Sequence, residues 1–153
     1  MDERIKEHLK HLKRYYLLLL DAKKYEKKYF LENPIIYAST ERFLHLAIES
    51  CLNIGNRLLS IYQFQFPVET PQAYSDIFRQ MNRIGIIDDK FTDRLIMMTK
   101  YRNRLVHLYW KLDNEITYKI LQESIEDFKN YEKAIVAFLK NHPIKDTESG
   151  DWQ

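Results

Sequence analysis

The chain has 153 residues, 45% hydrophobic and 30% charged, which suits one compact soluble domain and excludes a disordered chain. A formal net charge of +2, from 24 basic against 22 acidic residues, excludes a general attraction for nucleic acid, so any RNA or DNA contact has to come from a local patch. The one cysteine, Cys51, cannot form an internal disulfide and reads as a small buried hydrophobe in a reducing compartment.

The opening MDERIKEHLK is charged from its first residues and is not a signal peptide. Ile5, Leu9, Leu12, Tyr16 and Leu19 then recur at helical spacing, predicting a first helix that continues to about Phe30. Its run YYLLLL is far too short to span a bilayer, so a cytoplasmic protein without a membrane partner is expected. Asn33-Pro34 pairs a capping residue with proline at the first helical position. The helix it opens carries Ile36, Phe43, Leu44, Ala47, Ile48, Cys51, Leu52, Leu58, Leu59 and Tyr62, and ends near Phe66-Pro67. Within it Gly55 either permits the close approach of another backbone or is merely tolerated.

Thr70-Pro71 repeats the cap-plus-proline signal for a short helix with Tyr74, Ile77, Phe78, Met81 and Ile84, and Gly85 suits its C-terminal cap. Asp88 can cap a fourth helix over 89–109. A fifth runs over 114–139, with Ile116, Ile120, Leu121, Ile125, Phe128, Ala134, Ile135 and Phe138 on its inner side. No strand alternation, repeat or long linker interrupts the pattern. The expected fold is all-α: an up-and-down bundle of four long helices plus one short helix, with a helical domain over 1–140 and a polar, fraying tail over 141–153.

The fourth helix contains an anomaly. On a helical wheel Phe91, Leu95, Met98, Leu105 and Tyr109 share one stripe, and Arg102 falls in its middle. A guanidinium among packing residues is costly unless it is paired or faces a polar cleft. It is therefore either paired with an acid such as Glu49 of the second helix, or placed in a subunit interface, or it awaits an anion matched to its flat donor fork. His107 follows, about 140° around a straight helix from Arg102, so the two converge only if the helix ends or bends or if two copies of the site meet. Spacing alone does not decide the matter, because Arg4 and His11 satisfy a similar Arg-to-His rule on an ordinary first turn.

Two other stretches carry candidate chemistry. Arg42, His45, Glu49, Asn53 and Asn56 share one face of the second helix. They form either a solvated side or a polar wall of a cleft in which Glu49 orients Arg102 or His107. Lys23 to Phe30, KKYEKKYF, interleaves lysines with Tyr25 and Tyr29; such a stretch either grips and stacks nucleic acid or simply complements a helix terminus. The sequence lacks CxxC and HExxH zinc patterns, and neither metal nor cofactor is expected.

The segment RNRLVHLY, Arg102 to Tyr109, resembles the HEPN superfamily signature of Arg, a polar residue, three variable residues and His. The ending His-x-Tyr is similar to the HepT branch, the toxins of HepT–MNT toxin–antitoxin pairs. The surrounding GIIDDKFTDRLIMMTKYRNRLVHLYW and the all-helical pattern over residues 1–140 share the resemblance. It implies that Arg102 holds the scissile phosphate of RNA, that Asn103 supports the site, and that His107 is the general acid–base. It further implies that Tyr109 is the residue a partner nucleotidyltransferase modifies with AMP to silence the toxin. Homodimerisation with a composite cleft is implied as well, and this would resolve the convergence problem. The chemistry needs no metal, since the RNA 2′-hydroxyl is its own nucleophile. Two other functions fit the same residues: a non-catalytic nucleotide- or partner-binding module associated with a nucleotidyltransferase, and a structural dimerisation bundle.

Overall fold

In the computed structural model the described residues are 1–107 and 113–144; Tyr109 and the end of the chain lie outside them. The described residues form seven helices: α1 (Glu3–Lys23), α2 (Lys27–Glu32), α3 (Pro34–Tyr62), α4 (Tyr74–Arg83), α5 (Asp89–His107), α6 (Asn114–Glu123) and α7 (Glu126–Asn141). No strand occurs among them. The fold is all-α, as the sequence predicts, but two of the five expected helices are each broken into two.

α3 is the axis of the bundle. It has 29 residues, about 44 Å of helix, and it packs against each of the other six. Leu44, Ile48, Cys51, Ile54 and Leu58 are almost wholly buried along it, against Ile5, Leu12 and Leu19 of α1 and Phe128, Tyr131 and Ile135 of α7. Cys51 is the buried hydrophobe expected, and burial pushes its thiol far above the ordinary range, which keeps it protonated and inert.

Several boundaries follow local chemistry. Pro34 opens α3 after Asn33, although the Asn33 amide donates to the Tyr29 carbonyl at 2.7 Å rather than capping α3. Gly85 closes α4 with φ +87°, and the Gly85 and Ile86 amides return to the Asn82 and Met81 carbonyls, both at 3.0 Å. This paired return bonding needs a residue in the left-handed region, where glycine has no side-chain penalty. Asp88 caps α5 by accepting the Phe91 amide at 2.8 Å.

Other boundaries are set by tertiary contacts. The first predicted helix stops at Lys23 because the chain turns Phe30 into the core, where it is wholly buried beside the Tyr37 and Tyr118 rings. α6 fastens this corner, with Gln122 donating to the Lys23 carbonyl at 2.9 Å and Tyr118 to the Tyr25 carbonyl at 3.2 Å. The short helix starts at Tyr74 rather than after Thr70-Pro71. The Asp76 carboxylate accepts the Gln72 and Ala73 amides, each at 3.1 Å, and so fixes the first turn there. The last predicted helix breaks between α6 and α7, and the turn brings Asp127 inward.

Asp127 is 2% exposed and meets Arg94, whose Nε reaches Oδ2 at 3.1 Å and whose Nη2 lies 2.5 Å from Oδ1. Burial pushes the Asp127 carboxyl above its ordinary value and Arg94 pulls it back. Gly55 shows the close approach its sequence position allows. A Cβ there would lie 2.6 Å from Ile77 Cγ2 and 2.8 Å from Met81 Sδ, so α4 rests directly on the α3 backbone.

Gly55→Ala should therefore cost about 1–3 kcal/mol through overpacking, read by urea unfolding. Arg94→Ala should cost about 1–3 kcal/mol at neutral pH, less than for a fully buried pair because Arg94 is half exposed. Without Arg94 the folded-state pKa of Asp127 rises further. A raised carboxyl favours folding only where it is protonated, so the variant's deficit should shrink as pH falls through that value, and unfolding at neutral and acidic pH checks this.

Candidate functional site

The α5 stripe places Arg102 where the wheel puts it. Leu95 and Met98 are buried, Phe91 and Leu105 partly so, and the Arg102 side chain is only 12% exposed. The charge is compensated from α3: Arg102 Nε and Nη2 both reach Glu49 Oε1 at 2.6 Å. The Nε contact is a charge-assisted hydrogen bond at the short end of the usual range, and Nη2 adds an ion-pair contact. Nη1 donates to Asn103 Oδ1 at 3.3 Å, and the guanidinium carbon sits 4.5 Å over the centroid of the Tyr74 ring at the start of α4. His45, one turn before Glu49 on α3, brings Nε2 to 3.5 Å from the same Oε1.

Three helices thus converge on one guanidinium: an acid and an imidazole from α3, a ring from α4, and the cation from α5. The arrangement is partly desolvated, which strengthens the ion pair over a surface one. Arg102 also keeps N–H donors that Glu49 does not take, since a guanidinium has five. An oxyanion reaching that edge would find a fixed cation with planar donor geometry.

The predicted site residues are distributed as follows. Arg102, Asn103 and Glu49 are joined. His107 is the last residue of α5 and is exposed, and no hydrogen bond or ion pair links it to Arg102 among the described residues. Tyr109 lies outside the described residues. Of the polar face of α3, Arg42, Asn53 and Asn56 are solvated, and His45 and Glu49 turn partly inward.

Along Lys23 to Phe30, the Tyr25 and Tyr29 rings stack on each other at 5.2 Å and Phe30 enters the core. Lys24 pairs with Asp21 and Lys27 with Glu115, both exposed, so two of the four lysines there are offset by acids. The residue that sequence reading missed is Tyr74, which shows in the sequence only as one apolar member of the α4 pattern; its position over Arg102 is purely tertiary. Tyr101 was also absent from the expected stripe. It is buried on the other flank of α5, where its hydroxyl meets Thr117 Oγ1 at 2.8 Å.

Among the described residues no three His, Cys, Asp or Glu side chains are grouped to hold a metal ion, and no helix is long and apolar enough to cross a membrane.

Comparison with known proteins places this chain in a family. The chain is 26% identical over 117 residues to the mRNA nuclease HepT of Shewanella oneidensis, a match covering 76% of this chain and 81% of that protein. Its fold superimposes on the tri-AMPylated Shewanella oneidensis HEPN toxin solved in complex with MNT antitoxin, with a TM-score of 0.80 at 24% identity, over 90% of this chain and 99% of that one. It likewise matches the Bacillus subtilis cytosolic protein YutE, with a TM-score of 0.76 at 21% identity, over 92% of each chain. The family profile described as Ribonuclease HepT-like matches residues 5–135. The chain that carries Arg102, Asn103 and His107 on its fifth helix therefore belongs to the HepT-like ribonuclease family.

Proposed function

We propose that this protein is a metal-independent endoribonuclease toxin, held silent by a nucleotidyltransferase antitoxin that attaches AMP to Tyr109. The observation that carries the reading is the Arg102 guanidinium, part-buried and oriented by Glu49 at the first position of the RNRLVH signature. Family membership and the relative named an mRNA nuclease support the activity. The AMP-modified toxin solved with its MNT antitoxin supports the regulation.

In this mechanism the RNA lies with its scissile phosphate against the Arg102 edge. His107 takes the proton of the adjacent 2′-hydroxyl, which attacks the phosphorus. The 5′-oxygen leaves with the proton that His107 returns as general acid, and a 2′,3′-cyclic phosphate remains. Arg102 stabilises the charge that develops on the phosphorane oxygens. General acid–base help of this kind contributes about 10²–10⁴-fold. Single-stranded or loop RNA is the substrate class, because there the backbone and 2′-hydroxyl are accessible.

The separation of Arg102 and His107 around α5 leads to the dimer. A two-fold pairing of two copies sets Arg102 of one protomer near His107 of the other in a shared cleft. Val106, exposed and one turn after Arg102 on α5, supplies apolar surface beside such a contact. AMP on Tyr109 would set an anion and a nucleoside beside Arg102, opposing substrate by charge and by bulk.

The engagement of Arg102 by Glu49 also fits a non-catalytic module that binds a nucleotide phosphate. Calorimetry with AMP beside a cleavage assay separates the two, and binding without cleavage selects the module.

Purified protein should cleave single-stranded RNA in EDTA, leaving cyclic phosphate ends. His107→Ala and Arg102→Ala should each lower kcat by about 10²-fold or more. Cleavage by His107→Ala at the parent rate would sink the mechanism. Glu49→Ala strands a part-buried guanidinium and should cost about 1–3 kcal/mol in stability, as well as activity. Arg102→Leu, which leaves no orphaned cation, should unfold at a higher urea concentration than Glu49→Ala.

A further inference from the structure

Glu49 holds Arg102 through one oxygen only. Nε and Nη2 share Oε1, each at 2.6 Å. A fork closed on both carboxylate oxygens fixes the guanidinium plane, whereas two donors on a single oxygen fix an edge and leave the group free to rock about it. Asn103 adds a longer contact, 3.3 Å to Nη1. The missing constraint, across the plane, comes from Tyr74, whose ring faces the guanidinium carbon at 4.5 Å from its centroid. The ring quadrupole attracts a cation held over its face.

The placement of Tyr74 is well determined. It is the first residue of α4, and the turn before it is pinned by the Asp76 bonds to the Gln72 and Ala73 amides, with Arg79 Nη1 at 3.0 Å on the other Asp76 oxygen. Behind it, α4 sits on α3 at Gly55 through Ile77 and Met81. Yet Tyr74 itself is 46% exposed, so its ring is not core filling. The ring, then, stands at the surface of a rigid helix start with a guanidinium over it.

We propose that Tyr74 is a positioning residue for Arg102, its ring face setting the tilt at which the free guanidinium edge meets a phosphate. This rests on the reading of Arg102 as the phosphate-holding group. No residue of the RNRLVH signature supplies the constraint, so the site extends to α4.

The test compares Tyr74→Phe and Tyr74→Leu in the full-length protein. Phenylalanine keeps the ring face and leucine keeps apolar contact without it. With a fluorescent single-stranded RNA, Tyr74→Phe should stay within about twofold of the parent in kcat/KM, and Tyr74→Leu should fall by about 3- to 30-fold, with the loss in kcat and the unfolding midpoint unchanged. In an Arg102→Ala background, Tyr74→Leu should have no further effect. A nitrogen–proton correlation spectrum reads the contact independently of activity: the Arg102 Nε–H signal should be ring-current shifted in the parent and in Tyr74→Phe, and lose that shift in Tyr74→Leu.

Parent-like cleavage by Tyr74→Leu overturns the proposal, as does a Tyr74→Phe variant as slow as Tyr74→Leu. An unshifted Arg102 signal in the parent overturns it too. If the parent cleaves no RNA, the ribonuclease reading fails separately. The Tyr74 role then stands only if Tyr74→Leu weakens AMP binding by a comparable factor in calorimetry, and equal binding overturns it.

Discussion

A single 29-residue helix against which all the others pack is the constraint from which the remaining geometry follows. α3 buries almost every third or fourth side chain along its length, and it has no side chain at Gly55, where α4 comes down onto its backbone. That contact fixes the height of α4. The start of α4 then fixes Tyr74, and a neighbouring flank of α3 offers Glu49 and His45. Arg102 on α5 meets Glu49 and Tyr74 because α3 and α4 are seated against each other, and His45 reaches the same Glu49 oxygen. Burial supplies the stability, and close packing converts it into the placement of a few polar groups.

The site illustrates how a packed helix tolerates a charge. Arg102 occupies a position that an apolar residue would fill at lower desolvation cost, and the bundle compensates with an acid, an amide oxygen and an aromatic face. A neutral side chain would suit the packing stripe better. What the arginine adds is a cation of fixed orientation near the surface, the property that the proposed phosphate-holding role requires. The same logic separates Arg102 from Arg94. Arg94 hydrogen-bonds one oxygen of a buried aspartate, lies within ion-pair distance of the other and serves the corner between α6 and α7, whereas Arg102 meets a single Glu49 oxygen and keeps donors that Glu49 does not take.

Much of the fold was legible residue by residue. Pro34, Gly85 and Asp88 act within a turn of their own position, through a fixed dihedral, a left-handed conformation and a local carboxylate bond, so their effects are visible without knowing the fold. The two unforeseen breaks carry no glycine or proline. They occur where burying Phe30 at the first, and Ile125 and Phe128 at the second, outweighs continuing a helix, a balance between segments distant in sequence. The start of α4 was misread for a related reason: Thr70-Pro71 is a sound local signal, but the Asp76 carboxylate takes the amides three residues later.

The sequence by itself determined the all-helical architecture, the burial of Cys51, and the misplaced charge of Arg102 with Glu49 as a candidate partner, because periodicity and side-chain charge are properties of a chain read along its length. Only the tertiary structure decided that Glu49 closes on Arg102 through one oxygen and that Tyr74 lies across the guanidinium. Those are distances between helices, set by how close their backbones can come, and the absence of a side chain at Gly55 controls them from far along the chain.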